Sequence, residues 1–459
     1  MRRTTRRLLR DLLIVCALVG APALGFAVWY VDSRHHVHNT RPLGGPQVDV
    51  SHVVRIQSEA TVAIDPSNPR LLLGGSNDDL YITRVYTSRN GGRRWRSFPG
   101  PPLASRKQCG LGDPAVAIAT GGHEYYAFLA NLTCAPDETF PHLFVANRSG
   151  IGAAWHVVAV AQPGGPHFLW DDKPAIAVDT WRGSPHFGRA HLVWSRLESS
   201  HLKTLESSYS DDNGRTWSAA VAIGRGRISP ITSSVAVASN GAVFVAAADP
   251  ESGSLWLARS KDGGARFDGV RDVASTRPLA ACDDGGFPIP AQAQRCVNAN
   301  PIVNVLANAE VIVTYESRER NGTQGVFADA FDPHFGRLWH VRVSRPERQP
   351  ADQFLPTSAI DRAAGVLWTC FYDTTGDPTR KHAWFTCTVS RDGGRYWTAP
   401  VRAASVPSDE THADPDQYGD YEGLAAWGGI AHPVWTDERN FLPLSEEIYT
   451  SAIPASRLH

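Results

Sequence analysis

The sequence predicts an all-β protein made of one repeated unit behind an apolar N-terminal segment. Three observations predict it. A short apolar strand motif returns seven times along the 459 residues. A glycine-bearing eight-residue turn recurs in phase with that motif. Beyond the N-terminus, short runs of β-branched and aromatic residues separated by turn residues replace any helical period.

The elements follow in chain order. Residues 1–11 form a basic tail carrying Arg2, Arg3, Arg6, Arg7 and Arg10. The apolar run 12–31 is about twenty residues, which at a helical rise of about 1.5 Å spans a bilayer core of about 30 Å. The charge asymmetry puts the tail in the cytoplasm and the bulk of the chain outside it, as a single-pass cell-membrane protein. Ala21-Pro22-Ala23 also resembles a cleavage site, which would make the product secreted. The apolar run continues past that site through Trp29 and Tyr30, favouring an uncleaved anchor. Residues 32–46 are polar, with Pro and Gly, and read as a linker. Residues 47–459 carry the repeat. The formal net charge of −1 supplies no global basic field for nucleic acid.

Each copy opens with an apolar strand: EATVAID from Glu59, DPAVAIA from Asp113, KPAIAVD from Lys173, SSVAVAS from Ser233, NPIVNVL from Asn300, LPTSAID from Leu355 and YEGLAAW from Tyr421. A second strand follows in most copies, such as HLVWSR from His191 and VLWTCFY from Val366. The turn then closes four of them: SRNGGRRW from Ser88, SDDNGRTW from Ser210, SKDGGARF from Ser260 and SRDGGRYW from Ser390. In this turn Asn90, Asp212, Asp262 or Asp392 can accept backbone N–H bonds, and glycine takes a conformation a side chain forbids. The final aromatic packs beneath. The role is structural.

These four matches resemble the Asp-box, or bacterial neuraminidase repeat, of sialidases and related propellers, over nearly all of residues 47–459. The resemblance implies a β-propeller with each copy a four-stranded blade around a channel. Seven copies imply seven blades, with Gln47 to Val54 supplying the strand that the short last copy lacks. A six-bladed ring of the usual sialidase type is the alternative.

The same resemblance implies a site. Sialidases hold a substrate carboxylate with three arginines and use an acid/base Asp and a Tyr nucleophile activated by Glu. Val54-Arg55-Ile56 resembles the family's early arginine motif, with Gln57 in place of Pro. Asp79, with Asp78, stands where the acid/base lies. Arg380 matches a triad arginine, Arg318 is the candidate middle arginine, and Tyr421 resembles the nucleophile. The family's Glu falls near Asn298 or Asn300, neither acidic, so Glu316 is the candidate replacement.

Asp113, Asp172, Asp352 and Asp420 recur just before first strands, and pseudo-symmetry would gather them at one channel mouth, where carboxylates can hold a cation. Turn capping and pairing with arginine are the alternative roles. No cysteine pair has metal spacing, and no cofactor is implied. Six cysteines outside the apolar run allow fifteen connectivities. Their order suggests Cys109–Cys134, Cys282–Cys296 and Cys370–Cys387.

Two functions remain open: a sialidase-like glycoside hydrolase acting on terminal acidic sugars of extracellular glycans, or a non-catalytic propeller binding glycan or protein at the envelope. A third reading is an assembly factor for a membrane complex. A mouth with three convergent arginines and a Tyr–Glu pair favours the enzyme. A mouth lined by carboxylates and Asn favours the binder.

Overall fold

The computed structural model describes residues 39–459 apart from 54, 79–81, 104–110, 132–141, 161–169, 200–201, 225–231, 250–251, 277–285, 348, 413–416 and 440–445. Asp79, Cys109, Cys134, Cys282 and the apolar run 12–31 therefore lie outside the described residues. Among the described residues no helix is long and apolar enough to cross a membrane.

The seven copies form seven antiparallel sheets. Their inner strands are Thr61–Ile64, Leu111–Ile118, Trp170–Val178, Thr232–Val237, Ile302–Val305, Gln353–Asp361 and Gly423–Trp427. These begin blades 1 to 7, and each packs beside the next until blade 7 meets blade 1. The fold is a seven-bladed β-propeller.

Blade 7 is completed from the other end of the chain. Gln47–Asp49 pairs antiparallel with Glu447–Ser451, placing Val48 opposite Thr450. The closing strand predicted over Gln47–Val54 is present as its first three residues.

The blades are glued by aromatic and aliphatic side chains. Between blades 6 and 7, Phe385 stacks on Trp435 with centroids 5.4 Å apart, and both are fully buried. Such burial is the main favourable contribution to a fold of this kind. Cys370 and Cys387 face each other on adjacent strands of blade 6 and are joined by a disulfide. Cys296 is also disulfide-bonded.

The four repeated turns join the third and fourth strands of blades 1, 3, 4 and 6 and share one hydrogen-bond pattern. In blade 3, Ser210 Oγ donates to Asp212 at 2.8 Å and accepts from Gly214 N at 2.8 Å, while Thr216 N donates to Asp212 Oδ1 at 2.9 Å. Trp95 and Trp397 are buried beneath their turns and donate back to Gly92 and Gly394 carbonyls. Trp217 is only half-buried, so full packing of the terminal aromatic does not hold in every copy.

Candidate functional site

The first residues of several blades are bent into the left-handed region. Glu59, Asp113, Lys173 and Leu355 have φ of 56°, 54°, 49° and 46°. All four precede the apolar run of an inner strand, and three precede proline, which disfavours the helical region for the residue before it. In blades 2, 3 and 6 the register shifts across this point, the mark of a bulge. A bulge re-aims a side chain. Here the left-handed bends bring Glu59, Asp113 and Lys173 together at the channel mouth.

At the centre stands Lys173. Its Nζ lies 2.7 Å from Asp420, 3.3 Å from Asp113, 3.7 Å from Glu59 and 4.0 Å from Asp172. Arg295 supplies a second cation, 2.5 Å from Asp420 and 3.3 Å from Glu59. Asn77 bridges the pair of blades: its Nδ2 donates to Glu59 at 2.9 Å and its Oδ1 accepts from Asp113 N at 2.9 Å.

Burial opposes ionisation of Glu59, Asp113, Lys173 and Asp420, and geometry decides who keeps charge. Burial pushes Glu59 up to about 8 despite Lys173. Burial also raises Asp113. For Asp420 the two cations outweigh burial and hold the carboxyl well below the usual range. Burial works against the Lys173 ammonium, yet Asp113, Asp420 and Glu59 raise it well above the ordinary lysine value. A side-chain ammonium thus sits where the acidic ring invited an external cation. Asp352 is not part of that ring. It is buried in blade 6, accepts Gln324 N at 2.9 Å and pairs with Arg380 at 3.4 Å.

A hairpin covers the mouth. Phe287–Ile289 and Gln292–Val297, inserted between blades 4 and 5, pair with each other and reach across to the segment entering blade 7. Gln417 Oε1 accepts Gln294 N and Arg295 N at 3.0 and 3.1 Å, and Gln292 donates to the Gly419 carbonyl at 3.2 Å. Arg295 is thereby aimed down at Glu59 and Asp420.

Tyr421 follows Asp420 into the channel, beside a cavity of about 240 Å³ that Lys173, Thr232, Asn300 and Thr357 also line. Its hydroxyl donates to the Pro114 carbonyl at 3.3 Å. Burial, then Glu59 and Asp113, raise the phenol well above its ordinary value. Glu316 does not activate it. Its Oε2 accepts Leu355 N at 2.6 Å, tying down the blade 6 bulge, and burial pushes its carboxyl up to about 8.

The candidate arginines stand at the same end of the ring, where inner strands begin, but they are committed to other partners. Arg55 pairs with Asp78 at 3.4 Å, and Arg84 holds the other oxygen of that buried carboxylate at 2.8 Å. Arg380 pairs with Asp352. Arg318, at the end of Val311–Arg318, lines a separate cavity of about 290 Å³ with Tyr315, Glu319 and His340. The structure brings Tyr421 to the mouth but not the Tyr–Glu contact, and Arg55 and Arg380 carry carboxylate partners already.

Sequence reasoning missed Glu59, Lys173 and Arg295 as site residues. The first two carried a signal: with Asp113 they occupy the same phase of EATVAID, DPAVAIA and KPAIAVD. Arg295 lies in an insertion that no repeat places.

No known family's sequence profile matches the chain, and no curated protein matches it. Solved structures do resemble it. An ulvan lyase, described as founding a polysaccharide lyase family, aligns with TM-score 0.53 at 11% identity, over 89% of this chain and 96% of its own. A Dyadobacter fermentans protein of unknown function aligns at 0.48 and 15% identity, over 73% of this chain and 94% of that one. A Hadza microbial sialidase aligns at 0.48 and 14% identity, over 88% of this chain and 66% of that one. The lyase likeness is one of fold: like the sheet topology, it makes this chain a β-propeller, whose chemistry must be read from its own residues.

Proposed function

We propose that this chain is an exported, membrane-tethered propeller of the Asp-box kind that binds a glycan or protein partner at the cell envelope without turning it over. The observation that carries this reading is the plugged mouth: Lys173 and Arg295 are spent on Glu59, Asp113 and Asp420. An arginine or lysine already neutralised at close range has little left to offer a substrate carboxylate. The protonated Tyr421 phenol, donating to a carbonyl, is a poor nucleophile. The basic tail and the apolar run 12–31 support the tether.

The hydrolase reading keeps one observation in its favour, the place of Tyr421 at the channel mouth. In it Tyr421 attacks, Asp79 is the acid/base, Glu316 assists, and Arg55, Arg318 and Arg380 hold the acidic sugar. A fluorogenic sialoside assay on the full chain separates the two. No turnover by wild type, with retention on immobilised envelope glycans or proteins, is the expected result. Turnover abolished by Tyr421→Phe would replace the binder with the hydrolase.

A further inference from the structure

We propose that the cleft between blades 1 and 2, far from the channel mouth in the ring's radial direction, is a binding site for an anionic sugar chain. The cleft has a volume of about 750 Å³, within the range of about 300–1,000 Å³ usual for ligand pockets. One wall is the outer strand Arg96–Pro99 of blade 1 with the turn before it, and the other is the 148–155 turn of blade 2.

Its chemistry is one-sided. Arg89, Arg94, Arg96 and Arg148 line it, and no Asp or Glu does so among the described residues. Arg94 and Arg96 are exposed and, among the described residues, make no ion pair with a carboxylate. Arg148 is buried against Glu124, yet among the described residues its Nη2 has no hydrogen-bond partner. A buried cationic donor that still lacks an acceptor can take one from an anionic ligand. Arg89 donates to the Ile151 carbonyl at 2.7 Å and so holds the two walls in register.

Aromatic faces accompany the charge. Phe98 is 43% exposed on the outer strand, and Trp155 lines the opposite wall with the Arg148 guanidinium stacked over it at 4.0 Å. Sugar rings present flat C–H faces that pack on aromatic rings, and carboxylate or sulfate substituents match guanidinium forks. Two arginines without a carboxylate partner among the described residues, beside the exposed Phe98 ring, suit a short run of charged sugars better than an acidic peptide, whose carboxylates offer no ring to stack.

This site is independent of the channel and stands or falls separately from the proposed function. The test is calorimetry on the full chain at physiological salt with four probes: a heparin-derived sulfated tetrasaccharide, tetragalacturonate, neutral maltotetraose and hexaglutamate. Saturable binding of either anionic tetrasaccharide is expected, and which one binds identifies sulfate or carboxylate as the recognised group. Arg94→Gln/Arg96→Gln should weaken that binding at least about tenfold, as expected for lost charge-assisted bonds. Phe98→Ala should weaken it too, and both variants alter exposed residues that leave thermal unfolding unchanged. The proposal is overturned if neither anionic sugar binds, if the double variant binds like wild type, or if maltotetraose or hexaglutamate binds as tightly.

Discussion

Lys173 Nζ lies 2.7 Å from the Asp420 carboxylate, so an ammonium from blade 3 is locked to an acid that enters blade 7, on the far side of blades 1 and 2. Removing one partner of such a buried group leaves uncompensated charge, at a cost of about 3–5 kcal/mol. Lys173→Met should lose about that much in urea unfolding at pH 7. The deficit should shrink at pH 5, because the stranded carboxylates, freed of their cation, take up protons. A variant as stable as wild type at pH 7 would show that the cluster contributes nothing to closure.

The repeated turn does more than close a hairpin. In each case its glycine rests on a side chain of the preceding blade. A Cβ on Gly264 would lie 3.1 Å from His191 Nδ1, one on Gly92 2.8 Å from His432 Nδ1, and one on Gly394 2.7 Å from Trp339. Gly264 also has φ of 91°, which a side chain resists. Gly264→Ala should therefore cost about 1–3 kcal/mol from backbone strain and forced contact. Asp212→Ala, which removes the acceptor of the blade 3 turn, should cost about 1–3 kcal/mol. Trp397→Ala, beneath the blade 6 turn, should cost about 3–5 kcal/mol. Thermal unfolding of the three variants checks the order.

The two histidines under these turns give stability a pH dependence. Burial lowers His432 from 6.5 to about 4 and His191 to about 3. Both stay neutral in the fold while the unfolded chain takes up protons below pH 6.5. Stability from them is therefore complete above pH 6.5 and lost as pH falls from there towards 4. For His432 the loss amounts to about 3 kcal/mol. His432→Gln should flatten that part of the stability–pH curve, measured by urea unfolding between pH 7 and 4.

Cys370 and Cys387 close a segment with sequence separation 17. A cross-link of that span stabilises by about 3 kcal/mol, chiefly through the unfolded chain. Cys370→Ser/Cys387→Ser should lower the unfolding temperature without changing the strand pairing of blade 6. An unchanged temperature under oxidising conditions would show the bond to be energetically idle.

The fold was legible because the repeat is local. Ser210, Asp212 and Gly214 act within one turn, so the sequence records their relation at fixed spacing. The closing strand was legible from a deficit, since blade 7 lacked a partner for Glu447–Ser451. The site was not legible in the same way. Lys173 meets Glu59, Asp113 and Asp420 only once the ring has closed, and its aligned position looked like the flank of a strand. Asp352 shows the converse: like Asp113 and Asp172 it precedes the apolar run of an inner strand, but it turns to Arg380 and the backbone of blade 5. The Tyr421 placement was legible, whereas its missing contact with Glu316 depended on a carboxylate captured by Leu355 N.

Blade 7 takes Gln47–Asp49 from one end of the chain and Glu447–Ser451 from the other. During synthesis or vectorial export, its first-made strand must stay without its partner while roughly 400 further residues appear. At about 5–20 residues per second that wait is on the order of 20–80 s. Six sheets can form as they emerge, but the circle is completed only at the last. Any truncation before Glu447 therefore leaves Gln47–Asp49 an unpaired edge, and one before Gly423 also uncovers the flanks of blades 1 and 6.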